Sequence, residues 1–328
     1  MLEAAISRNF SHSSFVFAGF PALQKHRHLL ALPLSLSYLS VLLGNSVLVY
    51  VICSVQSLHS PMYVLICTLC VVDVLVVTAI LPNTLLGLLF DWNQISLAGC
   101  LTQMFFTHFL SSVESTLLLA MALDRYVAIC QPLRYTEIFD SSMLAKLLLF
   151  TLVRSVSIMA SLVGLAGSLQ FCSSNTIQHC YCDHMALVSL ACGSTEKSSA
   201  AGLAVIICFV GVDIPLIFLS YMKILSVVVR AAAAREERWK AFHTCGTHLM
   251  VMMCFYLVGS VTFLSHNLNL PIPTDLNTIL GLLYILFPAT VNPIIYGVRT
   301  KEIRGGLLRI FKHPAKTLMC VKVSPAGT

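Results

Sequence analysis

Seven long apolar runs, at 29–54, 62–89, 98–123, 143–166, 200–229, 243–265 and 276–297, take up most of this 328-residue chain. Each exceeds the roughly 20 residues a helix needs to cross hydrocarbon, where only helices and closed barrels satisfy the backbone. The runs are continuous rather than alternating, and too long for barrel strands. Polar surface is correspondingly scarce. Hydrophobic residues make up 57% and charged residues 10%, mean hydropathy is +0.86, and a soluble domain carries about 25% charged residues. A soluble enzyme, a disordered chain and a nucleic-acid-binding domain are all excluded. The expected fold is an all-α membrane protein: a seven-helix bundle over 29–297, an outer segment 1–28 and an inner segment 298–328. Few residues remain for a separate soluble domain, and no repeat of 20–50 residues is visible, which disfavours a repeat-built transporter.

Lys and Arg fix the orientation. With the N-terminus outside, the inner side holds Arg125, Arg134, Lys146, Lys223, Arg230, Arg235, Arg238, Lys240, Arg299, Lys301, Arg304, Arg309, Lys312, Lys316 and Lys322, which is 15 of the 20 basic residues. Arg8, Lys25, Arg27 and Lys197 fall outside, and Arg154 lies within the fourth run. That bias follows the positive-inside rule, and six or eight spans would break it. The net charge of +6 is therefore read as topological. No basic segment followed by a long apolar one opens the chain, so no cleaved signal peptide is expected. Asn9 begins a glycosylation sequon on the outer side.

Of thirteen cysteines, five are expected outside: Cys100, Cys172, Cys180, Cys182 and Cys192. The odd number leaves one unpaired, and the sequence alone does not fix the pairing. A bridge from Cys100 would draw the long loop over the bundle as a lid. His179, Cys180 and His184 also have metal-ligand side chains at close spacing, so Zn or Cu binding competes with a plain disulfide loop.

Charges inside the membrane are costly and are functional candidates by default. Asp73 and Glu114 fall mid-span in the second and third runs, where they can share a proton or hold a cation, with Asn292 adding an oxygen. Simple hydrogen bonding between helices is the competing reading. Asp213 is expected to face the bundle and Arg154 to snorkel or pair. Asp124-Arg125-Tyr126 stands at the inner end of the third run, where Arg125 can alternate between Asp124 and groups on neighbouring helices. Pro215 and Pro293 are expected to interrupt the fifth and seventh helices. Residues 301–312 alternate basic with apolar side chains, as in a short amphipathic helix on the inner leaflet.

These motifs carry a resemblance. Gly44-Asn45, Leu58-His59-Ser60-Pro61-Met62-Tyr63, Met121 through Cys130, Ser220-Tyr221, Lys240 through Cys245 and Pro293 through Tyr296 together make the whole chain resemble a vertebrate olfactory receptor, a rhodopsin-like G-protein-coupled receptor. The loop His179 to Cys192 and the ending Tyr296 to Ile303 look like the class I, fish-like branch. The resemblance implies disulfides Cys100–Cys182 and Cys172–Cys192, with Cys180 spare. It also implies a sodium-type site at Asp73 and Glu114. Asp124, Arg125, Tyr126, Tyr221, His243, Asn292, Pro293 and Tyr296 become the switch that opens a cleft for a stimulatory olfactory G protein, raising cyclic AMP at the plasma membrane.

The resemblance further implies an odorant pocket between spans three, five, six and seven. Helical spacing puts Met104, Thr107, His108, Ser111 and Ser112 on one face of the third run, and Tyr256, Gly259, Ser260 and Phe263 on one face of the sixth, with Asn267 a turn above. Met185 should hang from the lid. The outer end of span six, Ser265 to Asn269, has no Lys or Arg, so a neutral polar or mixed odorant is expected rather than a carboxylate, since neutral histidine is a weak anion site. No cofactor is required on this reading, and the partners are the odorant, the G protein and the bilayer. A proton-coupled transporter, an intramembrane hydrolase built on His243 and His248, and a receptor of the same family sensing a metabolite elsewhere are the alternatives.

Overall fold

The computed structural model describes residues 11–231 and 272–312, with 246, 249, 252, 253, 255–257 and 259–261 between them. Six helices among the described residues are long and apolar enough to cross a membrane: Pro21–Ser54, Pro61–Phe90, Leu97–Cys130, Ser141–Gly167, Glu196–Arg230 and Thr274–Val298. The chain is a multi-pass, all-α membrane protein. The described residues of the 243–265 run are helical as well. Asn9, His243, Phe263 and Asn267 lie outside the described residues.

Local chemistry sets several helix ends. Ser96 caps the third helix by accepting a hydrogen bond from the Gly99 amide, and Asp140 caps the fourth by accepting from Met143 N, each satisfying a donor left over in the first turn. The third helix is the most deeply buried and packs against the second, fourth and fifth, while the first packs against the second and seventh. Leu29, Leu32, Leu36 and Leu43 of the first helix are exposed, as suits side chains facing lipid.

The expected interruptions at proline take another form. The seventh helix runs unbroken from Thr274 to Arg299 through Pro288 and Pro293. Ahead of Pro215, the fifth helix loosens into a π-turn over Phe209–Asp213 and then resumes as Ile214–Ala231. Pro215 has no N–H to donate to the turn before it, and the ladder widens at that turn.

The end of the bundle that carries the disulfide loop holds a feature the sequence does not announce. Strand β1 (Ser14–Phe17) lies between β2 (Gln94–Ser96) and β4 (Thr176–Ile177). It runs antiparallel to β2, with Phe15 opposite Ile95, and parallel to β4, with Val16 opposite Thr176. A second pair joins β3 (Gln170–Phe171) to β5 (Ala191–Cys192). Disulfides join Cys100 to Cys182 and Cys172 to Cys192. Phe15 is fully buried and meets Phe171 edge-on at 5.4 Å, in a cluster with Met104, Cys182 and Leu187. The N-terminal segment is thus a strap across the lid.

At the opposite end, a helix spans Lys301–Lys312. Ile303 is buried while Lys301, Glu302, Arg304 and Arg309 are exposed. Gly306 lets this helix approach the first one, since a Cβ there would come within 2.9 Å of Val51 Cγ1.

Candidate functional site

Under the lid helix His184–Val188, the third, fourth and fifth helices and the described sixth-run residues enclose a cavity of about 90 Å³. A single water needs about 10–15 Å³ of such space, so the room suits a small organic molecule. His108, Ser111, Ser112 and Ser115 line it from the third helix, and Tyr256, Gly259 and Ser260 from the sixth run. Met159, Leu162, Val205, Ile206 and Phe209 make the opposite wall apolar. Met185 hangs from the lid into the cavity, beside Asp183 and His184.

Not every expected residue faces this space. Met104 is buried in the cluster around Phe15 and the Cys100–Cys182 bridge, and Thr107 is buried outside the wall. Ser112 reaches the cavity, yet its hydroxyl donates to Ser155 Oγ at 2.7 Å and ties the third helix to the fourth. Ser115 and Tyr284, absent from the expected set, line the cavity. Ser115 could have been found, because it continues the His108, Ser111 face by one further turn.

A polar chain runs from the cavity floor. The Ser115 hydroxyl donates to Asp213 Oδ2 at 2.8 Å, which leaves its oxygen to accept from the Tyr256 hydroxyl at 2.8 Å. Asp213 also holds Arg154, with Nη2 donating to Oδ1 at 3.2 Å and Nη1 to Oδ2 at 3.5 Å. Arg154 donates further to Thr116 Oγ1 at 3.2 Å and the Cys208 carbonyl at 3.3 Å, and its guanidinium lies 4.4 Å from the centre of the Phe209 ring. Asp213 is the last residue of the π-turn. So Arg154 pairs rather than snorkels.

The lid is fastened on several sides. The Asp183 carboxylate caps the lid helix, accepting from Met185 N and Ala186 N. Gln103 accepts from Cys182 N and donates to the Ala79 carbonyl, both at 3.0 Å. The metal reading of this loop is corrected, because its side chains diverge. The His179 ring faces Gly281 of the seventh helix, where its Nδ1 also accepts from Cys180 N at 3.0 Å. The His184 ring faces Gly202 of the fifth. Among the described residues no three His, Cys, Asp or Glu side chains gather to hold a metal. Burial, then His108 nearby, push His184 down to about 4 against the opposing pull of Asp183, so its imidazole is uncharged at neutral pH. Burial pushes the Cys180 thiol up to about 12.

Comparison with known proteins decides the family. The olfactory-receptor family model matches residues 34–313. Human olfactory receptor 51E2 is 39% identical over 93% of this chain and 95% of its own length. Human olfactory receptor 52K2 is 39% identical over 91% of this chain and 95% of its own. Mouse olfactory receptor 51E2 is 38% identical over 98% of both chains. The chain belongs to the olfactory-receptor family. It is a rhodopsin-like G-protein-coupled receptor, non-enzymatic, embedded in a lipid bilayer and partnered with a G protein.

Deeper in this olfactory receptor, Asn292 Nδ2 donates to Asp73 Oδ2 at 3.0 Å, and Glu114 lies within electrostatic reach of Asp73. Asp73 Oδ1, Glu114 Oε1, Asn292 Oδ1 and Asn45 Oδ1 are buried without a hydrogen-bond partner. Such an oxygen set suits a hard monovalent cation or a shared proton. Toward the C-terminal end of the third helix, Asp124 does not pair with Arg125 in this conformation. Its carboxylate accepts from the Tyr135 hydroxyl at 2.7 Å, and burial with this bond raises the Tyr135 phenol above its ordinary range. Tyr296 lies within electrostatic reach of both Arg125 and Tyr221. Tyr221 and Tyr296 are buried and Tyr126 is half-buried.

Proposed function

We propose that this receptor detects a small neutral polar or mixed-polarity odorant in the cavity beneath the lid and signals through a stimulatory olfactory G protein, raising cyclic AMP. The lining of the cavity carries this reading. Its described walls hold no Lys or Arg, and the sequence has none between Lys240 and Arg299. The nearest guanidinium, Arg154, is engaged by Asp213, and His184 is uncharged. A carboxylate would therefore enter without a cation to offset its desolvation. His108, Ser111, Met185, Tyr256, Gly259 and Ser260 are the proposed contacts, with Ser112, Met104 and Thr107 supporting the wall. Phe263 and Asn267 would extend it.

The proposed topology is seven spans over 29–297 with residues 1–28 outside, and with the Lys301–Lys312 helix and the tail to 328 on the inner leaflet of the plasma membrane. The relatives numbered 51 and 52 and the loop motifs favour the class I branch. A ligand shifts the resting–active balance only by its differential affinity for the two states. Tyr256, at the cavity floor, is positioned to pass that bias toward Asp124, Arg125, Tyr221, Asn292, Pro293 and Tyr296. Asp73, Glu114 and Asn292 would hold a sodium ion, which supplies positive charge to the middle of the bundle. A small odorant has few atoms, so binding at about the micromolar level or weaker is expected.

The test is a cyclic-AMP reporter screen comparing small alcohols, aldehydes and ketones with carboxylates of the same chain length. Arg125→Ala should abolish every response, and His108→Ala should abolish a subset. Stronger responses to carboxylates than to their neutral counterparts would reverse the ligand class.

A further inference from the structure

A second, smaller cavity of about 30 Å³ lies beneath the strap, between the first and second helices. It shares no lining residue with the larger one. Phe17 to Phe20 form its roof, fixed by the Phe17 amide on the Asn93 carbonyl, Ala18 N on the Ile177 carbonyl and Gly19 N on the His179 carbonyl. Arg27 is the one ionised side chain in its described lining, beside the carboxamides of Gln24, Asn83 and Asn93.

Two neighbours that could have spoiled this polarity do not. The Cys180 thiol lines the cavity but stays protonated, with burial pushing it up to about 12. The Thr84 hydroxyl is engaged, sharing its proton between the Ile80 and Cys180 carbonyls. Asp91 grips Nη1 and Nη2 of Arg27 from outside the cavity, with its own side chain 60% exposed. A guanidinium has five N–H donors, so three remain. The Arg27 side chain is 17% exposed, so solvent screens the pair mainly on its Asp91 side and the remaining donors stay available to a second anion.

We propose that this cavity is a second site, for a small monovalent anion of the chloride or short-carboxylate class, seated on Arg27 and the neighbouring amides. At about 10–15 Å³ per water-sized centre, the space takes a halide or a two-carbon acid and excludes anything larger. Its walls are the strap, the second helix and the lid loop at Cys180, so an occupant braces the outer face.

The test measures thermal unfolding of the full-length receptor in lipid nanodiscs, at constant sodium and ionic strength, in chloride, acetate or the bulkier gluconate. Chloride or acetate should raise the midpoint saturably by about 2–4 °C over gluconate. Arg27→Gln should abolish the rise. Asp91→Asn, which releases the guanidinium, should lower the half-saturating concentration about 2–5-fold. His108→Ala should leave the effect intact, separating this site from the odorant cavity. A rise in acetate alone assigns a carboxylate, and one in chloride assigns a halide. Equal midpoints in all three salts overturn the proposal, as does an undiminished rise in Arg27→Gln. Should Arg27→Gln fail to fold, an Asp91→Asn receptor with unchanged or weaker anion dependence overturns it instead.

Discussion

Asn45 donates its side-chain amide to the carbonyl oxygen of Ala289 at 3.0 Å, and Ala289 stands four residues before Pro293. Proline has no N–H, so this carbonyl lacks its helical donor. The first helix supplies one. Its neighbour Gly44 makes the approach possible, since a Cβ there would stand 3.0 Å from Pro293 Cγ. Two adjacent residues of one helix therefore serve a single proline of another, and the seventh helix passes through Pro293 unbroken.

The consequence is measurable by thermal unfolding of the purified receptor. Asn45→Ala leaves a buried carbonyl unsatisfied and should cost about 1–3 kcal/mol. In a Pro293→Ala background the helix regains its own donor, and the same substitution should cost distinctly less. An equal loss in both backgrounds would show that Asn45 stabilises the bundle by some other route.

Gly281 is a second point of close approach. A Cβ there would lie 2.7 Å from the Tyr181 hydroxyl and 2.8 Å from His179 Nε2, so Gly281→Ala should push the lid loop outward. Overpacking of this kind costs about 1–3 kcal/mol. Gly164 in the fourth helix faces open space, and Gly164→Ala should be neutral or stabilising. The checks are the unfolding midpoints of both variants and the odorant concentration for half-maximal cyclic AMP, which should rise for Gly281→Ala only.

What the sequence disclosed, and what it withheld, follows from the range of each interaction. The apolar runs are local signals tens of residues long, and six of them lie close to helices found among the described residues. The strap is different. Ser14–Phe17 is four residues long, and its partners at Gln94–Ser96 and Thr176–Ile177 are three and two. Pairing between segments so short and so distant leaves no periodicity to read. Spacing made His179, Cys180 and His184 resemble ligands, but spacing does not tell which helix each ring turns toward. Arg154 and Asp213 stood out as intramembrane charges, while their pairing joins two helices and only packing reveals it.

That pair gives a third prediction. Asp213 is fully buried and the Arg154 side chain 13% exposed, so removing one partner strands the other in a dry interior. Arg154→Met alone should cost about 3–5 kcal/mol. The double variant Arg154→Met, Asp213→Leu should recover most of that loss, because apolar replacement of a whole buried pair is commonly close to neutral. Unfolding midpoints of the two singles and the double complete the cycle. Additive losses would argue that the two residues act separately.

The lid should also respond to acid through His184. Burial and the neighbouring His108 lower its pKa to about 4, against an ordinary histidine value of about 6.5. Between those limits the unfolded chain binds the proton and the folded one does not, so stability falls as pH drops through this window. From pH 7 to pH 5 the loss from this one group is about 2 kcal/mol. The informative quantity is the difference between two receptors. His184→Gln keeps a polar side chain without a titrating ring, and its unfolding midpoint should decline less steeply between pH 7 and pH 5. Parallel declines in the two proteins would mean that the imidazole is already open to protons in the folded lid.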